Sequence, residues 1–136
     1  MNFTISEENY IKRIYHLQQE TGLVNTNSLA AEMQTRAASV TDMLKKLKSK
    51  KLLQYEKYKG FKLNDAGKKA ALDVVRKHRL WEYFLVEHLK FDWDKIHPIA
   101  EELEHISSEE LVQRLDNFLG NPLFDPHGDP IPDKNG

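Results

Sequence analysis

The chain has 136 residues, of which 40% are hydrophobic and 30% are charged, which suits about one globular domain. It contains no cysteine, which excludes disulfide bonds and thiolate zinc sites and fits a reducing cytoplasm. No apolar run approaches the roughly 20 residues that cross a bilayer, and the N-terminal MNFTISEENY lacks a signal-peptide pattern, so we expect a cytoplasmic protein without a membrane partner.

Charge is unevenly distributed along the chain. Residues 1–77 carry 15 Lys and Arg against 8 Asp and Glu, whereas residues 78–136 carry 5 against 13. The first half therefore suits a polyanion, and the second half suits cations. The alternative is that the two halves pair with each other in the folded chain.

The first half predicts three helices and a hairpin. The helices span residues 5–20, 25–33 and 38–53. The spacing of apolar residues in the third helix predicts a core face made of Val40, Met43, Leu44 and Leu47. Ser6 is the predicted N-cap of the first helix, and Gly22 is its predicted end. Alternating aromatic residues over residues 52–63 predict a short hairpin with its turn at Gly60.

Three helices followed by a basic hairpin predict a winged helix-turn-helix, whose third helix enters the major groove of DNA. Residues 36–62 contain nine Lys and Arg and two acidic residues, which favours phosphate contacts, although the lysines could simply be solvated. Asp42 is at odds with this surface, since phosphates repel a carboxylate. The candidate DNA-binding residues are Thr26, Asn27, Arg36, Ala38, Ser39, Thr41, Lys45, Lys48 and Lys59.

The second half predicts a long helix over residues 64–89, with Asn64 or Asp65 near its cap. This helix carries more bulky apolar residues than one face of a small monomer buries, which predicts a dimer interface. The candidate dimerisation residues are Leu80, Trp81, Phe84, Leu85 and Leu89.

Two shorter helices and a tail follow. The first covers residues 92–106, with Pro98 in its opening turns, where a missing amide is tolerated. The second covers residues 107–120, with Ser107 and Glu110 as a capping box and Gly120 as its end. Residues 121–136 are rich in Pro, Gly and Asp and predict an ordered loop or a linker.

Histidine and glutamate recur at helical spacing in this half. In HPIAEELEH, the four His and Glu at positions 97, 101, 104 and 105 fall within an arc of about 100° that has no Lys or Arg. An i, i+4 His–Glu pair on the long helix adds a second group. Either water solvates these side chains or a cation binds them. The candidates are His78, Glu82, His97, Glu101, Glu104 and His105.

The chain resembles the diphtheria-toxin-repressor-like family of metal-dependent bacterial transcription regulators. The resemblance covers essentially the whole chain and lies in EENYIKRIYHL, SVTDMLKKLKSKKLLQYEKYKGFKLNDAGKKAA, RKHRLWEYFL, KIHPIAEELEHISSEELVQRL and DPHGDPIP. It implies a homodimer that binds a pseudo-palindromic double-stranded DNA operator when a divalent metal is bound, and that represses metal-uptake genes.

The resemblance also implies a mainly α fold in which a winged helix-turn-helix precedes a helical metal-binding and dimerisation domain. The implied domains are residues 1–64 for DNA binding, 65–120 for metal binding and dimerisation, and 121–136 as a tail or linker. In longer family members a segment like DPHGDPIP precedes a small β-barrel domain.

The ligand sets follow from the same resemblance. One metal site would use His78, Glu82 and His97. The other would use Glu101, Glu104 and His105 together with Asn9, where relatives often have methionine or aspartate.

The resemblance also bears on which metal binds. Lys12 stands where the manganese-specific branch has a second acidic ligand, which argues against the two-metal geometry of that branch. Glu101 is the residue of the manganese-responsive branch, whereas the iron-responsive branch has cysteine. We therefore expect Mn²⁺, with Fe²⁺ as the alternative, and weaker metal binding below about pH 6 as the histidines protonate.

Two other functions remain open. A metal-independent winged-helix regulator would leave the acidic face solvated. A metallohydrolase would need an open coordination position, a base and a cleft. The sequence has no H-E-x-x-H motif, no nucleophile arrangement and no glycine-rich phosphate loop, so we do not expect an enzyme.

Overall fold

A computed structural model describes residues 2–136 as a mainly helical chain with one small sheet. Its elements in chain order are α1 (Ile5–Thr21), α2 (Thr26–Met33), α3 (Ala37–Ser49), β1 (Leu53–Glu56), β2 (Gly60–Leu63), α4 (Asp65–Glu87), α5 (His97–Leu103) and α6 (Glu109–Phe118). This order confirms the predicted winged helix-turn-helix followed by a helical region. Contacts divide the chain into two compact units, Phe3–Ala71 and Leu72–Gly136, and α4 contributes residues to both. Within the described residues, no helix is long and apolar enough to cross a membrane.

A capping box fixes the start of α1. The Thr4 hydroxyl accepts a hydrogen bond from the Glu7 amide (3.1 Å), and the Glu7 carboxylate accepts one from the Thr4 amide (2.9 Å). The prediction of Ser6 as the N-cap is wrong, because Ser6 lies inside the first turn. The predicted end at Gly22 is confirmed, since its amide donates to the Gln18 carbonyl and its φ is +84°.

Helices α2 and α3 form the helix-turn-helix. The Asn25 side chain caps α2 by accepting from the Ser28 amide (2.7 Å). α3 ends at Ser49 rather than at the predicted residue 53, because Lys51 adopts a left-handed conformation before β1 begins. The predicted core face of α3 is confirmed, since all four of its members are buried: Val40, Met43, Leu44 and Leu47.

The hairpin forms the wing, and its base is fixed to the helices. β1 and β2 pair antiparallel, and Gly60 is the first residue of β2, so the predicted position of the turn at Gly60 is corrected to residues 57–59. Val24 and Phe61 exchange two backbone hydrogen bonds of 2.8 and 2.9 Å. The Gln18 side chain accepts from the Leu63 amide (2.7 Å).

The second unit has its own small core. Apolar residues of α4 and of the segment 112–119 pack together there: Leu80, Val112, Leu115 and Leu119. Upstream, α4 begins at Asp65, and of the two predicted cap residues, Asn64 and Asp65, it is the Asn64 side chain that accepts from the Gly67 amide (2.9 Å).

The two shorter helices differ from the predicted ones at their ends. Pro98 lies in the first turn of α5, as predicted, but α5 ends at Leu103, so Glu104 is its C-cap residue and His105 lies beyond it. α6 is capped by Ser108, whose hydroxyl accepts from the Leu111 amide (3.1 Å). The predicted cap at Ser107 is therefore wrong.

The tail is an ordered loop that returns to α4. Phe124 and Pro130 form an isolated β-bridge, and the Asp125 amide donates to the Asp129 carbonyl. Arg79 on α4 donates to the Pro130 carbonyl. These contacts hold the DPHGDPIP segment against the second unit.

Candidate metal centre

The middle of α4 buries two ionisable side chains one helical turn apart. His78 is buried, and Glu82 is only 2% exposed. Their i, i+4 spacing brings His78 Nε2 to 3.4 Å from Glu82 Oε1. Buried charges need partners, so the surroundings of this pair decide its chemistry.

His78 also contacts a carboxylate at the end of α5. His78 Nδ1 lies 2.8 Å from Glu104 Oε1, and the Glu104 side chain is completely buried. Burial by itself lowers the pKa of His78, but the hydrogen bonds and charges of Glu104 and Glu82 outweigh it and raise this pKa to about 9. At neutral pH His78 is therefore an imidazolium between two buried carboxylates.

The exposed start of α5 completes one group of possible ligands. The ring centroids of His78 and His97 are 4.8 Å apart, and ligand atoms of His78, Glu82 and His97 all lie within 4.8 Å of one another. His97 Nε2 is in turn 3.5 Å from Glu101 Oε1; the His97 side chain is largely exposed and that of Glu101 is about half exposed. The structure thus brings together the first predicted ligand set.

The second predicted set is connected to the first through Glu104. Its Oε2 lies 3.8 Å from His105 Nε2, while its Oε1 contacts His78. The three predicted members differ in burial, since Glu104 and His105 have buried side chains and Glu101 is half exposed. Asn9 is half-buried on α1 in the other unit, and its role as a ligand stays a prediction.

A further group of ligands, which the sequence reasoning missed, comes from the tail. Ligand atoms of Glu82, Asp125 and His127 lie within 4.8 Å of one another, and His127 Nδ1 is 3.3 Å from Glu82 Oε2. Within residues 2–136, that buried Glu82 oxygen has no hydrogen-bond partner. The Asp-x-His spacing in the Pro/Gly-rich tail could have indicated possible metal ligands. Because these residues are far from Glu82 in the sequence, it gave no reason to expect a contact with Glu82.

Hydrogen bonds in the tail orient these two side chains. Asp125 Oδ1 accepts from the amides of His127 and Asp129 (2.9 and 2.8 Å), and His127 Nε2 lies 2.8 Å from the Trp93 carbonyl oxygen. Burial, and then the neighbouring Glu82 carboxylate, raise the pKa of Asp125. Burial also acts to raise the pKa of Glu82, but His78 more than offsets this and lowers it. Two carboxylates thus lie close together, and the buried Glu82 oxygen lies 3.3 Å from His127 Nδ1 without a hydrogen bond of normal geometry, so a cation would stabilise the group.

The candidate DNA-binding residues lie on the surface of the first unit. Arg36 is the N-cap residue of α3, Thr26 is half-buried at the start of α2, and the Thr41 hydroxyl donates to the Ala37 carbonyl in its own helix. Asp42 is also exposed on α3. The exposed candidates are Asn27, Arg36, Ala38, Ser39, Thr41, Lys45, Lys48 and Lys59.

The candidate dimerisation residues divide by burial. Leu80 (0% exposed) and Leu85 are packed inside the second unit, Trp81 and Phe84 are half-buried, and Leu89 is exposed. An aromatic row continues outward from Phe84, since its ring lies 5.6 Å from that of His88, which lies 4.8 Å from that of Phe118. Phe118 is largely exposed and was not among the predicted residues.

Comparisons with known proteins agree with this arrangement. Residues 2–61 match the family described as iron dependent repressor, N-terminal DNA binding domain, and residues 64–133 match iron dependent repressor, metal binding and dimerisation domain. The iron-dependent repressor IdeR of Mycobacterium tuberculosis is 31% identical over 125 residues, which are 92% of this chain and 54% of IdeR. The regulator MntR of Bacillus subtilis is 35% identical over 116 residues, which are 85% of this chain and 81% of MntR.

Solved structures of repressors have the same fold. A manganese-dependent transcriptional repressor in complex with manganese superposes with a TM-score of 0.85 at 40% identity, over 96% of this chain and 60% of that one. ScaR with bound Cd²⁺ gives 0.85 at 42% identity, over 95% and 60%. The chain spans about half the length of IdeR and about three fifths of these solved chains.

Proposed function

Because the chain belongs to the iron-dependent repressor family, we propose that it is a transcriptional regulator whose affinity for operator DNA rises when a divalent metal ion binds its second unit. It acts as a homodimer on a pseudo-palindromic duplex, in the cytoplasm, and represses metal-uptake genes. The single observation that carries the proposal is the buried Glu82 carboxylate, which two groups of possible ligands share.

The chemistry of these ligands suits a hard or borderline cation. Carboxylates and imidazoles surround Glu82, and the chain has no thiolate that would favour softer metals. We propose Mn²⁺ as the activating ion, with Fe²⁺ as the alternative. The similarity to MntR and to a manganese-dependent repressor supports manganese, and the similarity to IdeR supports iron.

Three sets of residues are proposed as ligands, and Glu82 belongs to two of them. Two sets have their ligand atoms close together: His78, Glu82 and His97, and Glu82, Asp125 and His127. The third set, which the family resemblance implies, is Glu101, Glu104 and His105, with Asn9 as a further candidate. A bound dication would neutralise the carboxylates of these sets, which are otherwise neutralised in part by bound protons. His78 must lose its proton to become a ligand, so it changes from a cation between Glu82 and Glu104 into a neutral donor.

DNA contact is assigned to α3 and the wing. The exposed small residues at the start of α3 allow close approach to base edges. Phosphates can reach the exposed lysines of α3 and of the wing turn, which are Lys45, Lys46, Lys48, Lys57 and Lys59. Metal binding strengthens DNA binding only if the metal prefers the DNA-competent conformation, because equal affinity for both conformations shifts no equilibrium.

The burial of the acidic residues argues against the metal-independent alternative. A solvated acidic face requires exposed carboxylates, and although Glu101 is exposed, Glu82, Glu104 and Asp125 are buried. The relatives described above are repressors and a transcriptional regulator, which supports a binding function rather than catalysis.

The test is a DNA-binding titration with and without metal. Duplexes that bind are first recovered from a random library by the wild-type protein in Mn²⁺, and their dissociation constants are then measured by fluorescence anisotropy. We expect chelation to weaken binding by about 5- to 150-fold, the usual range of coupling between two sites. Parallel anaerobic titrations with Fe²⁺ compare the two metals.

A pair of isosteric variants provides the control. Glu82→Gln removes the shared charge and should abolish most of the metal response, whereas Glu110→Gln removes an exposed carboxylate that is paired with Arg114 on α6 and should leave the response unchanged. Equal DNA affinity before and after complete chelation would refute the proposal, and so would a normal metal response in Glu82→Gln.

A further inference from the structure

The wing ends in an aromatic residue that contributes nothing to the fold. Tyr58 is 95% exposed and lies in the turn between β1 and β2. The Lys59 amide donates to the Glu56 carbonyl across this turn, and the Lys57 ammonium lies 5.2 Å from the centroid of the Tyr58 ring. The turn therefore presents the sequence Lys-Tyr-Lys to solvent.

The backbone at Tyr58 is unfavourable for a tyrosine. Its φ is +64°, in the left-handed region that glycine and asparagine adopt far more readily than bulky residues. Neither packing nor turn geometry accounts for a tyrosine there, since the side chain is exposed and the backbone would prefer another residue. An unusual backbone conformation that carries an exposed aromatic ring is a reason to look for a ligand.

The base of the wing holds this tip in place. Gly60 fits closely against Val24, because a Cβ at Gly60 would lie 2.5 Å from the Val24 carbonyl oxygen. The Tyr55 ring lies 6.0 Å from that of Phe61, and the Lys48 ammonium of α3 lies 5.1 Å from the Tyr55 ring. The tip is thus a short turn on an anchored hairpin, continuous with the basic face of α3.

We propose that the Tyr58 ring enters the minor groove of DNA beside each half-site and favours A·T pairs there. This inference rests on the proposed DNA-binding function, in which α3 occupies the major groove. Lys57 and Lys59 flank the ring and contact the phosphates on either side. The minor groove is about 6 Å wide, too narrow for a helix but open to a flat side chain.

The chemistry of the groove floor accounts for the preference. A·T pairs present only acceptors in the minor groove, to which the Tyr58 hydroxyl can donate, whereas guanine adds an amino group that obstructs the floor. A·T tracts also narrow the groove and strengthen its negative potential, which attracts the two lysines. A protein partner would not require a cation on each side of the ring, so the charges favour DNA.

The test compares wild type with Tyr58→Asn on a duplex that the wild-type protein selects from a random library in Mn²⁺. Asparagine tolerates the left-handed backbone, so the variant should fold normally, as checked by thermal unfolding. We expect it to bind about tenfold more weakly, which corresponds to about 1.4 kcal/mol.

A second measurement identifies the groove. Replacing adenine by 2,6-diaminopurine in A·T pairs that flank the half-sites adds an amino group to the minor groove and leaves the major groove unchanged. Wild type should bind the altered duplex several-fold more weakly, and Tyr58→Asn should bind both duplexes equally. The control Lys57→Ala should weaken binding to both duplexes and still respond to diaminopurine. It should also reduce the slope of log K against log salt concentration by about 1, as expected for one lost phosphate contact.

The outcomes separate this inference from the proposed function. If wild type binds the selected duplex in a metal-dependent manner but Tyr58→Asn binds it equally well, the role of Tyr58 is refuted alone. It is also refuted if both proteins respond equally to diaminopurine, because the ring then does not contact the groove floor. If wild type shows no metal-dependent binding to any duplex, the proposed function fails, and this inference fails with it.

Discussion

Replacing Gly60 by alanine tests how the wing is fixed to the rest of the first unit. Gly60 has φ = +136°, a backbone conformation that residues other than glycine rarely adopt. For such a residue this conformation costs of the order of 1–3 kcal/mol. The added Cβ would also lie 2.5 Å from the Val24 carbonyl oxygen, so the two Val24–Phe61 hydrogen bonds would have to lengthen or break. At about 1 kcal/mol for each bond, Gly60→Ala should destabilise the protein by about 3–5 kcal/mol.

Gly22→Ala is the matched control, because it has the backbone penalty without the steric clash. Gly22 also has a positive φ (+84°), but within the described part of the chain nothing lies within 4 Å of the position of its Cβ. This variant should cost about 1–2 kcal/mol. Urea unfolding of the three proteins, followed by circular dichroism, measures both changes. If Gly60→Ala were no more destabilising than Gly22→Ala, the close contact with Val24 would have no energetic consequence and the reasoning would be wrong.

Two further predictions concern a buried charge and a buried leucine. Burial acts to raise the pKa of Glu7, but the contacts of its carboxylate with Lys50 and Thr4 more than offset burial and lower the pKa. The ionised carboxylate therefore stabilises the fold at neutral pH, and this contribution is lost as the pH falls through the lowered pKa. Glu7→Gln keeps a side chain able to complete the capping box but removes the charge. It should lower the free energy of unfolding by about 1–2 kcal/mol at pH 7, and by progressively less below about pH 4. If the urea midpoints showed the same loss of stability at pH 7 and pH 3, this prediction would be contradicted. Leu80→Ala leaves a cavity at a fully buried position and should lower the free energy of unfolding by about 2–5 kcal/mol. Leu89→Ala, at an exposed position, should leave the free energy of unfolding nearly unchanged but weaken self-association in sedimentation equilibrium. If Leu89→Ala unfolded the protein and Leu80→Ala only weakened self-association, the assigned roles would be wrong.

Local signals in the sequence predicted most of the fold. Helical spacing identified the core face of α3, and single residues such as Gly22 and Asn64 marked helix ends, because each acts on its own turn of backbone. Errors occurred where two neighbouring residues could both serve as a cap. Thr4 rather than Ser6, and Ser108 rather than Ser107, hold these positions, because the hydrogen bond depends on the backbone conformation and not only on the hydroxyl.

The candidate site was predicted less completely, because its contacts join distant parts of the chain. The i, i+4 rule placed His78 beside Glu82, but it gave no reason to expect Glu104, 26 residues further on, against the other nitrogen of His78. Asp125 and His127 lie in an aperiodic tail whose return to α4 depends on its own turn and bridge. Residue type and spacing could indicate a metal site in this half, but only tertiary packing brings its members together.

The charges within the site distinguish a metal-binding cluster from a completed salt-bridge network. In a completed network every buried oxygen has a partner and every carboxylate is easily ionised. Here Glu82 and Glu104 share the His78 imidazole, the second oxygen of Glu82 is buried 3.3 Å from His127 Nδ1 without a hydrogen bond from any described residue, and the pKa of Asp125 is raised. The cluster therefore depends on protons for part of its neutralisation. A dication could replace those protons. For this reason we interpret the buried carboxylates Glu82, Glu104 and Asp125 as parts of a metal-binding site rather than of a salt-bridge network.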